Sequence, residues 1–159
     1  MSNSSPPQRW RLWAVLGAGA LTAFSLPPWG WWPLSYLGIA LFALISRNAS
    51  QRPRTQFVLG MVFAVGWFAP GMGWMWFLTP PGYLIAVLLF AMFHGIAAFI
   101  TSRSEYPALT GPLAHTLAEA LRFSFPFGGV PLASLAVAQA SSPFVGLSRI
   151  GGPLLLSYV

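Results

Sequence analysis

The chain has 159 residues and a formal net charge of +6; 56% of its residues are hydrophobic and only 6% charged, where an ordinary soluble domain carries about a quarter. There is no Cys, Lys or Asp, which excludes disulfides, thiolate nucleophiles and Cys-based metal sites and leaves Glu105 and Glu119 as the only side-chain carboxylates. All eight basic residues are Arg at the edges of apolar segments, not the basic patch interleaved with exposed aromatics that nucleic-acid binding requires.

From the amino terminus, residues 1–9 are polar and read as a disordered cytoplasmic segment. Arg9 and Arg11 precede the apolar run Leu12–Leu26. A basic flank and short apolar core also describe a cleavable signal peptide, but the segments that follow are equally apolar, which favours a first membrane helix. Ser25–Pro33 (SLPPWGWWP) breaks that helix with prolines and sets three Trp where a headgroup layer would lie. Leu34–Ile45 continues as a second helix, 17 residues if counted from Trp29.

Ser46–Gln56 is polar and carries Arg47, Arg52 and Arg54. The next 48 residues, 55 to 102, contain no charged side chain. A spanning helix needs about 20 apolar residues, so this gap holds two crossings and a turn. The first is Phe57–Leu78, kinked or broken near Pro70–Gly71; Thr79–Gly82 is the turn and Tyr83–Thr101 the second crossing. Pro107–Phe125 is apolar overall yet contains His115, Glu119 and Arg122, and reads as a helix buried among others. Pro126–Leu147, rich in Pro, Gly, Ala and Ser, is a loop or re-entrant segment. Ser148–Val159 opens another apolar element whose 12 residues cover about 18 Å, short of the hydrocarbon core of about 30 Å.

The predicted fold is therefore an all-α integral membrane bundle of about five transmembrane helices plus a truncated sixth. Residues 10–159 form its transmembrane domain, incomplete at the C-terminal end. Arginines fix the orientation: with the N-terminus in the cytoplasm, Arg9, Arg11, Arg47, Arg52, Arg54 and Arg103 all fall inside, and the outer turns carry no charge.

Few residues carry chemistry. Glu119 and Arg122, spaced i,i+3, share a helix face and can pair. Ionisable residues within membrane helices face the protein interior or water, so the pair is either an internal brace or a polar contact to a headgroup or neighbouring domain. His115, four residues before Glu119, offers too few ligands for a metal site and reads as structural filler. His94 reads as a hydrogen-bonded packing residue in preference to a proton relay. Ala14/Ala18, Gly60/Ala64 and Ala91/Gly95 have the spacing that lets helices approach closely. No Ser sits in a Gly-x-Ser-x-Gly elbow. No catalytic residue, cofactor site or metal site emerges.

Several segments in order resemble one family. They are Ala23–Leu34 (AFSLPPWGWWPL), Gly60–Gly66 followed by Trp74, and Glu119-Ala-Leu-Arg122 with Phe125-Pro-Phe-Gly-Gly129; Gln139, Pro143 and Gly151-Gly152 follow at matching intervals. Together they are similar to the amino-terminal membrane half of apolipoprotein N-acyltransferase, a bacterial inner-membrane enzyme of lipoprotein maturation. Ala120 and Phe127 stand where that family's signatures have Trp. The resemblance implies an acyltransferase whose chemistry resides in a periplasmic nitrilase-like domain. There a Cys takes an acyl chain from phospholipid as a thioester, Glu acts as base, and Lys supports the charged intermediate before the chain passes to the lipoprotein's amino-terminal amine. This sequence has neither Cys nor Lys, so no catalytic residue carries over.

The resemblance thus implies a membrane-anchoring part of such an enzyme, multi-pass in the inner membrane and inactive alone. Membrane phospholipid is its expected partner, and the apolipoprotein only if a catalytic domain is supplied. A small multi-spanning transport or structural partner protein is the alternative.

Overall fold

The structure, a computed structural model, describes residues 8–125, 129 and 131–158. Among them the fold is entirely helical: α1 (Gln8–Phe24), α2 (Pro33–Arg47), α3 (Pro53–Gly71), α4 (Pro80–Thr101), α5 (Pro107–Arg122), α6 (Leu135–Ala138) and α7 (Ser148–Tyr158). Two 3-10 helices, Gly73–Phe77 and Pro143–Leu147, complete it.

Proline sets where four of these helices begin. Pro33, Pro53, Pro80 and Pro107 each occupy the first helical turn, where the missing N–H costs nothing and the fixed φ is already helical. This moves the starts of α2, α3 and α4 ahead of the expected Leu34, Phe57 and Tyr83. The third helix ends at Gly71, at the break expected near Pro70–Gly71, and does not resume as an α-helix to Leu78. Pro70 closes its last turn, and the apolar residues that follow tighten into a 3-10 turn. Gln8 and Arg9 lie in α1; residues 1–7 lie outside the described residues. In the expected loop, Pro126, Phe127, Gly128 and Val130 also lie outside them, while Leu135–Ala138 forms α6 and Pro143–Leu147 the second 3-10 helix, with turns around them. Helix α7 is interrupted where Gly152 takes a φ of 66°, a left-handed conformation that suits glycine.

Helix directions alternate. Tyr83, at the start of α4, donates its hydroxyl proton to the Ala69 carbonyl near the end of α3 (2.7 Å), while Gly60 lies beside Gly95. Gly19 of α1 meets Phe63 and Trp67 of α3, and Leu26 meets Gly71, so α1 and α3 run the same way. Gly38 of α2 lies against Ala18 and Thr22. The arginines at the start of α1, the end of α2, the start of α3 and beyond the end of α4 consequently share one end of the bundle.

Glycines let α3 sit close to both neighbours. A Cβ at Gly60 would lie 2.7 Å from the His94 carbonyl oxygen and 2.7 Å from the Ala98 Cβ. Gly66 meets the Leu16 carbonyl in the same way. The core around them is aromatic: Phe42 stacks on Phe63 and Trp67 on Phe68, both with centroids 4.5 Å apart.

By length and composition, one helix, Pro80–Thr101, is long and apolar enough to cross a membrane, and Pro33–Arg47 is a shorter apolar helix. The expectation of about five such helices is therefore met in full by one among the described residues. The other helices are shorter or more polar.

Candidate functional site: a buried polar cluster on α5

Helix α5 separates its side chains cleanly. Residues 115, 119 and 122 follow the helical repeat and share a face, which turns toward α4 and the segment after residue 130. Leu109, Leu113, Leu117 and Leu121, four residues apart, are 45–68% exposed on another. Glu119 and Arg122 are both 0% exposed.

Arg122 donates from Nη1 to Glu119 Oε1 and from Nη2 to the Leu132 carbonyl at 2.6 Å. Its guanidinium also lies over the rings of Phe68 (4.3 Å) and Phe90 (4.7 Å), the electron-rich faces that attract a cation. The second carboxylate oxygen, Oε2, accepts from the Leu135 amide and from Ser157 Oγ, each at 3.0 Å. One carboxylate thus joins α5, the first turn of α6 and the end of α7. Ser134 caps α6 by accepting from the Val137 amide at 3.2 Å, and Ala133 beside it has a φ of 55°. Burying a charge is tolerable when it is paired and its remaining hydrogen-bond capacity is taken up. Here three further partners do so; among the described residues only Arg122 Nε of this pair finds no partner.

His94 of α4 meets His115 of α5, with Nδ1 to Nδ1 at 2.9 Å and the rings stacked 5.2 Å apart. Trp67 and Phe68 flank His94 at 5.3 and 5.4 Å. Among the described residues no three His, Cys, Asp or Glu gather as a metal set. Further along, Gln139 donates to Ser35 Oγ at 2.8 Å, fastening the turn after α6 to the start of α2.

Sequence reasoning singled out Glu119 and Arg122, and the structure brings them into an ion pair. It also gives His94 the hydrogen-bonding partner a packing histidine needs, in His115. It separates His115 from the Glu119 carboxylate's partners, although the two share a face. Reasoning from sequence missed Leu132, Leu135, Ser157 and the Gln139–Ser35 link. Backbone groups carry no sequence signal, and serines were too plentiful for one to stand out.

Fold and site together define a helical bundle with an ion pair at its centre and apolar side chains along its outside. The chain belongs to the apolipoprotein N-acyltransferase family: residues 18–159 match the family model described as Apolipoprotein N-acyltransferase N-terminal domain. Over 91% of its length it is 32% identical to the Apolipoprotein N-acyltransferase of Pseudomonas putida, covering 32% of that protein. It is 31% identical to that of Azotobacter vinelandii and 28% identical to that of Pseudomonas syringae, covering 31% of each. The chain therefore spans about a third of the length of these curated relatives.

Proposed function

We propose that this chain is the membrane-embedded part of an apolipoprotein N-acyltransferase, which moves an acyl chain from phospholipid to the amino-terminal amine of a lipoprotein. The observation that carries the membrane reading is an inverted polarity. Glu119 and Arg122 lie at 0% exposure, while Leu84, Leu88, Met92, Ile96 and Ile100 run the length of α4 at 39–57% exposure and four leucines do the same on α5. In water such continuous apolar faces invite association. In hydrocarbon they match their surroundings, and the buried ion pair avoids a cost of about 2.5–3.5 kcal/mol per charge on insertion scales.

In this reading residues 10–159 are the transmembrane domain in the bacterial inner membrane. The N-terminus and the arginine-bearing end face the cytoplasm, helices α1 to α5 cross, and α7 crosses in part. Glu119 and Arg122 brace the interior. The bundle anchors a catalytic domain and shapes lateral access for phospholipid. A thiolate-forming nucleophile and its activating groups have to come from outside this chain, which has no Cys and no Lys. The apolipoprotein becomes a partner only when that domain is present.

Expression in a strain depleted of its own N-acyltransferase tests the division of labour. The chain alone should leave lipoproteins unacylated at the amine and growth unrescued; rescue would overturn it. Reporter fusions after Arg52 and after Gly129 should report opposite sides of the membrane, and a shared side would overturn the orientation.

A further inference from the structure

The 3-10 helix Gly73–Phe77, between α3 and α4, presents its largest side chains outward. Phe77 is 89% exposed, Leu78 72%, Trp74 49% and Trp76 48%. The element is rigidly mounted: Trp76 packs edge-on against Tyr83 (5.9 Å, 88°), and the Tyr83 hydroxyl is tied to Ala69 at the end of α3. Thr79 immediately afterwards caps α4 by accepting from the Gly82 amide, so the most apolar helix in the chain starts at the base of this tip.

We infer that Gly73–Leu78 is a lipid-anchoring element that seats Phe77 and Leu78 among phospholipid acyl chains just below the headgroups, with the Trp74 and Trp76 indoles at ester level. The inference rests on the membrane reading above. Lipid is the favoured occupant for three reasons. No charged side chain occurs from residue 55 to 102, so the tip lacks the polar rim that surrounds the apolar centre of a protein interface. Half-exposed indoles pair an apolar body with one N–H donor, the combination enriched at membrane–water boundaries. A second set of aromatics lies at the same end of the bundle, where Leu26 meets Gly71: Phe24 packs against Trp29 (5.1 Å) and Trp31 (6.3 Å), both of which are exposed. Lacking charge, the tip should bind zwitterionic and anionic bilayers alike, whereas the arginine-bearing end should favour anionic lipid.

The absence of native Cys allows a clean test. Phe77→Cys and, separately, Met92→Cys on the exposed face of α4 would each carry a bimane label in proteoliposomes. The quenchers are phospholipids with a nitroxide near the ester end or the methyl end of the acyl chain, and aqueous iodide. The Phe77 label should lose most of its fluorescence to the ester-end nitroxide and little to iodide, with no change when anionic lipid replaces zwitterionic. The Met92 label should respond most to the methyl-end nitroxide. A Phe77 label quenched by iodide, or shielded from all three quenchers by protein, overturns the anchor while a lipid-quenched Met92 keeps the membrane reading. If Met92 is also quenched by iodide and not by lipid, both fall.

Discussion

His94 and His115 face each other across α4 and α5 with their Nδ1 atoms 2.9 Å apart. Only one of the two nitrogens can carry the shared proton, so the rings hold complementary protonation at Nδ1. Among the described residues His94 Nε2 is buried without a partner, and the link to His115 is the one polar contact they give the His94 ring.

His115→Ala would strip that contact away. The expected loss is about 1–3 kcal/mol, the cost of an unmet buried polar group, seen as a lower unfolding midpoint in detergent. Replacing both rings, with His94→Phe and His115→Leu, should cost less than the sum of the single changes, because no polar atom is then left stranded. An additive result in the double-mutant cycle would deny the coupling.

The ion pair should behave similarly on a larger scale. Arg122→Met leaves the Glu119 carboxylate buried without its cation, and Glu119→Leu leaves a guanidinium buried between the Phe68 and Phe90 rings without its carboxylate. Each is expected to cost about 3–5 kcal/mol. The combined variant should be milder than either alone. Limited proteolysis provides a second readout: Glu119→Leu should expose residues 131–158 to cleavage before the rest of the chain, since the Leu135 and Ser157 contacts end with the carboxylate.

Gly60→Ala should separate α3 from α4. The new methyl would meet the Ala98 Cβ and the His94 carbonyl at 2.7 Å, and overpacking of this kind costs about 1–3 kcal/mol. Gly17→Ala in α1 is the contrasting case, with nothing within 4 Å of the new methyl. Stability there should stay level or rise by up to about 1 kcal/mol, from helix propensity. Thermal unfolding of the two variants side by side checks both signs.

Much of the fold was legible because hydrocarbon-like runs and arginine-rich breaks are coarse signals. Pro70 marks the end of the third helix, but the apolar sequence Met72–Leu78 does not distinguish an α-turn from the 3-10 turn it forms. Three helices start ahead of their apolar runs because Pro33, Pro53 and Pro80 serve as first-turn residues. The Glu119–Arg122 pairing followed from i,i+3 spacing on one helix. Its remaining partners, Leu132, Leu135 and Ser157, lie on later elements, and only tertiary packing brings them near. His94 and His115 were each visible as a lone polar group in an apolar helix. Their meeting required the antiparallel packing of α4 on α5, which no local pattern encodes.

Glu119 Oε2 holds a backbone amide of α6 and a hydroxyl of α7 at once, while Oε1 holds the arginine wedged between Phe68 and Phe90. Mechanically, this carboxyl group works as a rivet. Force applied at α7, by any polypeptide joined there, would pass through two oxygen atoms into the aromatic centre of α3 and α4, so the last helix and the middle of the bundle should move as one body.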